Sequence, residues 1–219
     1  MAEASSPAVV AAVDGGTFYH QEALRGTRYR HLFDRLIYAP RLERTCLAGI
    51  DTLVVTCRTS SVLLGRSAPT LRDFLDRGGT LVAMGECGLS EWLTEVRTIP
   101  GSANFWWWLD PDATLGLTTE VPDHGVFDHI TLADATWHYH GALIGPAGAT
   151  RVIDCRDGGA ILIDDDHTWP GRLIATTLDP FYHHGSRFMP AATRFLDGFL
   201  PWLRAGAPHR ARRGGGLGT

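Results

Sequence analysis

The sequence predicts a single α/β domain, with an open parallel sheet, helices on both faces of the sheet and an antiparallel β extension before the last core strand. Two observations indicate this fold class. In the first half of the chain, short apolar runs alternate with segments of helical spacing, which is the pattern of parallel strands joined by right-handed crossovers. In the second half, short β runs are separated by turn residues, which is typical of antiparallel strands.

Apolar runs bounded by turn residues predict the strands. A strand buried on both faces is a continuous apolar run, and such runs occupy residues 7–13, 51–57 and 80–84. A further strand is expected over residues 35–39, where Pro40 stops it. The last core strand is expected over residues 172–178.

The segments between these strands predict amphipathic helices. Helical spacing covers residues 27–34, 68–77, 88–96 and 190–203. Pro201 is expected to kink or stop the last of these helices. The domain is therefore expected to span residues 1–204, followed by a flexible tail rich in Gly and Arg over residues 205–219.

A hairpin is the clearest feature of the second half. The β runs at residues 151–154 and 160–163 flank Asp157-Gly158-Gly159, and glycines of this kind supply the backbone conformation of a tight turn. The acidic run at residues 164–166 lies between two β runs and is expected to form a solvated turn and not a cation site.

Composition excludes several classes of function. The net charge of −4 is too small for a nucleic-acid-binding surface, and no apolar run reaches the roughly 18 residues that a membrane span needs. All 20 basic residues are arginines, so neither a Schiff base to pyridoxal phosphate nor a phosphate-loop lysine is available. The four cysteines are too widely spaced for a zinc ribbon or a disulfide scaffold. We expect a cytoplasmic protein with reduced thiols and with no nucleic-acid or membrane partner.

Cys87 is the most informative candidate for chemistry. The strand at residues 80–84 leads directly into Gly85-Glu86-Cys87-Gly88, after which a helix is expected. A thiol at a helix N-terminus is favoured as the thiolate, and this strand–turn–helix layout is that of a nucleophile elbow. The sequence therefore predicts a depressed pKa for Cys87. The alternative is a small buried residue that fills a tight turn.

This elbow resembles that of the class I glutamine amidotransferase-like superfamily, which includes the amidotransferases, the PfpI proteins and the ThuA-like proteins. The resemblance is carried by Gly85-Glu86-Cys87-Gly88 after the run GGTLVAMG, and by the layout of the strand and helix that precede it. It implies a flavodoxin-like sheet with Cys87 as the catalytic nucleophile.

Two positions depart from the pattern of this superfamily. The amidotransferases have a glycine two residues after the nucleophile, whereas Gly88 follows Cys87 directly. They also carry a His-Pro-Glu after the last core strand, in which the histidine is the general base, and here Asp179 stands at that position. His183 and His184 follow shortly and are the candidate catalytic imidazoles. The departures favour a ThuA-like or otherwise divergent member.

The substrate is expected at one edge of the sheet. In an open α/β sheet, ligands bind outside the carboxyl ends of the strands, and the candidate substrate-binding residues that follow these ends are Asp14, Gly15, Gly16, His20, Arg58, Glu86, Gly88 and Asp179. His138 and His140 alternate on an expected strand and could form a wall of the same cleft. Cys87 is expected at its floor, with His183 or His184 within reach.

A metal site at the histidines is the weaker interpretation of the same residues. His138 and His140 could bind a transition metal together with His183 and His184. No Glu-x-x-His or similar ligand pattern anchors such a site. We therefore expect neither a bound metal nor another cofactor.

Two functions remain open from the sequence. The first is a cysteine-dependent enzyme acting on a small polar molecule, which the small residues around Cys87 favour. The second is a catalytically silent binding or assembly domain, which the missing histidine at position 179 favours. A homodimer is expected from the run Trp106–Trp108 and from the apolar residues Phe199 and Trp202 of the closing helix.

Overall fold

The computed structural model describes residues 8–101, 109 and 114–208, which form a mixed sheet surrounded by helices. Its strands are β1 (Val10–Asp14), β2 (Arg35–Tyr38), β3 (Thr52–Val55), β4 (Thr80–Ala83), β5 (Arg97–Ile99), β6 (Ala142–Ile144), β7 (Thr150–Asp154), β8 (Ala160–Asp165) and β9 (Arg172–Thr176). Its helices are α1 (Phe18–Arg25), α2 (Ser61–Asp76), α3 (Leu89–Trp92), α4 (Leu132–Ala135), α5 (Pro180–Gly185) and α6 (Pro190–Arg204).

The sheet confirms the predicted fold class. The strand order is β2-β1-β3-β4-β9-β8-β6-β5, and β7 pairs with β8. The five strands from β2 to β9 are parallel, and the strands from β8 onward are antiparallel. The order 2-1-3-4-9 is that of flavodoxin-like sheets. The antiparallel strands are the extension expected before the last core strand.

Two apolar layers cover the sheet because its central strands are apolar on both faces. On one face, α6 contributes a buried stripe that includes Phe195, Phe199 and Trp202. On the other face, α2 contributes Phe74 and α3 contributes Trp92. The apolar face of α6 is thus covered by the chain itself, which removes one reason for expecting a dimer. The other reason, the run Trp106–Trp108, lies outside the described residues.

The helices differ from their predicted extents. The helix expected over residues 27–34 is only a single 3-10 turn (Arg30–Leu32), because the amphipathic segment that packs on β1 is the earlier α1. Helix α2 continues through Pro69 since Leu64 and Leu71 are buried together on its inner face. Helix α3 is one turn long, where a helix over residues 88–96 was expected. Pro201 lies within α6 and does not stop it.

The segment after α6 packs further than the sequence predicts. Ala207 is 1% exposed, and the indole Nε1 of Trp202 donates to the carbonyl of Pro208 at 3.1 Å. The prediction of an unpacked tail from residue 205 is therefore wrong for residues 205–208, and residues 209–219 lie outside the described part. Among the described helices, none has the length and apolar character needed to cross a membrane.

Candidate functional site

Six charged or polar side chains meet at the carboxyl ends of β3, β4 and β9. We call them the histidine–carboxylate cluster: Arg58, Glu86, His138, His140, Asp179 and His183. Arg58 follows β3, Glu86 follows β4, and Asp179 and His183 follow β9. Parallel strands bring these ends to one edge of the sheet, so residues far apart in sequence become neighbours. All six were predicted as site residues.

Asp179 is the centre of the cluster and is completely buried. Its Oδ2 atom accepts from Nε of Arg58 at 2.8 Å and lies 3.3 Å from Nε2 of His140. Its Oδ1 atom lies 3.0 Å from Nε2 of His183 and 4.0 Å from Nε2 of His138. A buried carboxylate of this kind keeps its charge because a guanidinium and imidazoles surround it.

Glu86 occupies the strained position of the turn after β4. Its φ of 57° is in the left-handed region, which a glutamate adopts only at a cost of about 1 kcal/mol or more. Its carboxylate contacts Nη2 of Arg58 at 2.6 Å and Nδ1 of His140 at 3.0 Å. The elbow position of this chain therefore carries a glutamate. Gly88 then lies two residues after the elbow residue, as in the amidotransferases.

Arg58 joins the two carboxylates and is itself held in place. It also has a left-handed backbone, with φ of 59°, and its guanidinium lies 3.8 Å from the centre of the Tyr182 ring. The N–H of Arg58 donates to the carbonyl of Gly85 at 3.0 Å. Tyr182 was not among the residues predicted from the sequence. The available signal was an aromatic residue next to the predicted site residue His183.

Gly85 allows the strand ends to approach each other. Its N–H donates to the carbonyl of Leu178 at 2.8 Å, and an added Cβ would lie 2.3 Å from the carbonyl oxygen of Thr177. A side chain at this position would thus push the β4 turn away from the segment that carries Asp179.

The three imidazoles are placed by different segments. His183 is in α5, while His138 and His140 precede β6 in irregular backbone and not in the strand that their alternation predicted. Nε2 of His183 lies 2.9 Å from Nε2 of His138, and the His138 and His140 rings are perpendicular with centres 5.2 Å apart. Three imidazoles thus converge on one carboxylate.

The charges in the cluster follow from burial and from the neighbours of each group. Burial acts to lower the pKa of His140, but Asp179 and Glu86 raise that pKa to about 9. Burial, followed by the nearby His183, lowers the pKa of His138 to about 4. Burial acts to raise the pKa of Asp179, yet the neighbouring His140 and His183 hold it far below its ordinary value. The hydrogen bond with His140 is the largest effect lowering the pKa of Glu86.

Cys87 does not share this environment. It is 2% exposed and packs in the apolar layer of α2 and α3, whereas His183 packs on Trp137 in the layer of α6. Burial raises the pKa of its thiol to about 12, so the prediction of a depressed pKa is wrong. The physical reason is a shift of one residue. Glu86 takes the elbow conformation, and the next side chain turns into the core.

Other predicted site residues have local roles. His184 lies away from the cluster, with Nδ1 2.9 Å from Oγ1 of Thr193. The carboxylate of Asp14 accepts from the N–H of Gly16 and pairs with Arg25. His20 is buried, accepts from the N–H of Gly15 and lies 2.9 Å from the carbonyl of Cys57. These contacts attach the turn after β1 to the end of β3 without bringing Asp14 into the cluster.

A cavity of about 320 Å³ borders the cluster. Glu86, Cys87 and His140 line it, together with Thr176 and Thr177 at the end of β9. The hydroxyl of Thr177 is buried and makes no hydrogen bond within the described part of the chain. The cavity can therefore accept a small molecule that offers polar atoms to these side chains.

Solved structures share this fold at low sequence identity. A cytoplasmic protein from Salmonella typhimurium matches with a TM-score of 0.55 and 12% identity, over 93% of this chain and 99% of that chain. A GMP synthase-like protein from Thermoplasma acidophilum matches with a TM-score of 0.50 and 13% identity, over 91% and 98% of the two chains. An exo-β-1,4-mannosidase from Opitutaceae bacterium strain TAV5 matches with a TM-score of 0.51 and 12% identity, over 91% of this chain and only 36% of the mannosidase.

No protein-family model matches the sequence, and no curated protein matches it either. Identities of 12–13% show the fold alone. Together with the strand order, these matches show that the chain has a flavodoxin-like α/β fold.

Proposed function

We propose that the chain is a divergent glutamine amidotransferase-like enzyme that binds and transforms a small polar molecule at the histidine–carboxylate cluster, without a cysteine nucleophile. One observation carries the proposal. A completely buried carboxylate, three imidazoles and a guanidinium converge beside a cavity of small-molecule size at the carboxyl edge of the sheet.

The two positions that carry the chemistry of the superfamily support this proposal. In the amidotransferases these positions hold a cysteine and a histidine. Here they hold Glu86 and Asp179, and Arg58 and His140 contact both carboxylates. A site with carboxylates at both positions suits a polar substrate that offers hydroxyl or amide groups, since carboxylates accept hydrogen bonds from both.

A ligand screen tests the proposal. Purified protein is screened by thermal shift against sugars, amides and nucleosides, and each stabilising compound is followed by NMR for conversion. We expect Asp179→Asn to weaken binding of the stabilising compound by about tenfold or more, because it removes the central charge of the cluster. Cys87→Ala tests for a cysteine nucleophile and should keep conversion.

The outcomes separate the alternatives. Loss of binding and conversion in Cys87→Ala, with Asp179→Asn unaffected, would overturn the proposal. Binding at the cluster with no conversion of any compound would identify a binding domain that keeps the fold.

A further inference from the structure

The donor atoms of the cluster are those of a transition-metal site. His138, His140 and Asp179 each offer one ligand atom, and these three atoms lie within 4.8 Å of one another. His183 adds a fourth donor, because its Nε2 atom lies 2.9 Å from that of His138 and 3.0 Å from Oδ1 of Asp179. Imidazole and carboxylate donors suit divalent ions of the zinc type.

The spacing of these atoms fits one ion. Two ligand atoms at about 2.1 Å from the same ion are at most about 4.2 Å apart, and about 3.4 Å apart in a tetrahedral site. Oδ1 of Asp179 lies 3.0 Å from Nε2 of His183 and 4.0 Å from Nε2 of His138, and Oδ2 lies 3.3 Å from Nε2 of His140. Both distances to Oδ1 are within the range that a single ion permits, and the contact to Oδ2 places His140 beside the same carboxylate.

The hydrogen bonds of Asp179 leave one oxygen for the ion. Arg58 donates to Oδ2, whereas the buried Oδ1 atom has no hydrogen bond of acceptable geometry from any described residue. Only one proton can lie between the two Nε2 atoms of His138 and His183, and Oδ1 faces the same region. A cation at this point would satisfy all three atoms at once.

The neighbours of the donors resemble the outer layer of a metal site. Glu86 contacts Nδ1 of His140 at 3.0 Å, which turns Nε2 of that ring towards Asp179. A carboxylate that holds the far nitrogen of a histidine ligand is a recurrent arrangement, since it fixes the tautomer and the ring orientation. Arg58 holds both carboxylates in place.

We propose that Asp179, His138, His140 and His183 bind one divalent transition-metal ion, with zinc as the best match to these donors. The proposal rests on the proposed function, because it names a group bound at the same site. It reverses the expectation from the sequence that no metal is present. An ion at this place would polarise an oxygen of a molecule bound in the cavity that His140 lines.

Metal titration of the full chain tests the proposal. Chelator-treated protein is titrated with ZnCl₂ in a calorimeter and, separately, with Co²⁺ while visible absorption is recorded. We expect one ion per chain. His138→Ala and His183→Ala should each weaken zinc binding by about 100-fold or more, because each removes a ligand. Asp179→Asn, which preserves the shape of the side chain, serves if either alanine variant does not fold.

His184→Ala is the matched control. His184 is next to His183 in α5, but its ring contacts Thr193 and Tyr29 outside the cluster. This variant should bind zinc as the unchanged protein does. Substoichiometric zinc binding by the unchanged chain, or equal losses in His183→Ala and His184→Ala, would overturn the metal site. If, in addition, a small molecule binds in the absence of zinc and its binding depends on Asp179, the metal site is wrong and the proposed function still holds.

Discussion

Two buried aspartates with similar partners lie at opposite ends of β9, and they differ in how completely those partners satisfy them. Near the start of β9, Asp164 accepts from Nε of Arg172 at 2.7 Å and lies 2.9 Å from Nε2 of His124, which in turn accepts the N–H of Val126. Arg172 also donates to the carbonyl of Ala207. One carboxylate, one guanidinium and one imidazole form a closed set of hydrogen bonds.

Asp179, beyond the other end of β9, faces three imidazoles. Its Oδ1 atom lacks a well-directed hydrogen bond, and Nδ1 of His183 is buried without a hydrogen-bond partner among the described residues. Buried polar groups left in this state cost free energy. The Asp164 cluster is thus complete by itself, whereas the cluster around Asp179 leaves buried polar atoms without hydrogen bonds from the described residues, as the proposed ligand site requires.

The largest expected effect concerns the stability of the two regions. Asp164→Ala should lower the free energy of unfolding by about 3–5 kcal/mol, because it leaves the buried guanidinium of Arg172 without its counter-charge. Asp179→Asn should lower it by about 1 kcal/mol or less, since Arg58 is partly exposed and keeps Glu86 as a partner. Urea denaturation of both variants measures the difference. Equal losses of unfolding free energy in the two variants would contradict the distinction between the two clusters.

The second expected effect is on the pH dependence of stability. Burial acts to raise the pKa of Asp164, but Arg172 and His124 lower it overall. A carboxyl whose pKa is lowered by folding stabilises the protein above its unfolded pKa of about 4, and this stabilisation is lost as the pH falls through the folded pKa. The difference in unfolding free energy between the unchanged protein and Asp164→Asn should therefore be constant at neutral pH.

Below about pH 4 the difference in unfolding free energy between the unchanged protein and Asp164→Asn should become smaller. Urea midpoints measured at pH 7, 5 and 3 follow this change. If this difference becomes larger as the pH falls, protonation of Asp164 is not the cause of the lost stability.

The smallest expected effect concerns Cys87, which is 2% exposed. Burial raises the pKa of its thiol to about 12, so little thiolate forms at neutral pH. Iodoacetamide should label the exposed Cys46 in the folded protein and should label Cys87 only after unfolding. Peptide mass spectrometry after a short pulse measures both sites. Labelling of Cys87 as fast as Cys46 in the folded chain would restore the nucleophile hypothesis.

The sequence predicts the fold well because the strand segments are continuous apolar runs, which indicate burial on both faces. The runs that form β1, β3, β4 and β9 are apolar on both faces, which only a sheet covered on both sides accommodates. The helix extents are less predictable. Whether a segment forms one turn, as α3 does, or continues through Pro69, as α2 does, depends on what it packs against.

The sequence predicts which strand ends meet at the candidate site, but it does not predict which side chains of the turns enter the cluster. Arg58, Glu86 and Asp179 follow strands whose ends must meet, so their proximity follows from topology. The backbone conformation of the turn after β4 does not follow, because Glu86 and Cys87 both lie between glycines and either could take the strained position. A shift of one residue places the carboxylate of Glu86, and not the thiol of Cys87, in the histidine–carboxylate cluster. His138 reaches Asp179 through irregular backbone, which no periodicity predicts.

The strand order also determines when the site can exist during synthesis. Strand β9 lies between β4 and β8 in the sheet, although most of the chain precedes it in sequence. As the polypeptide leaves the ribosome, the edge of β4 therefore stays open until residues 172–176 emerge. Asp179 follows directly behind that strand. A nascent chain arrested before β9 would carry His138, His140 and Glu86 without the carboxylate that they surround, so the cluster would form only after residues 172–179 have emerged.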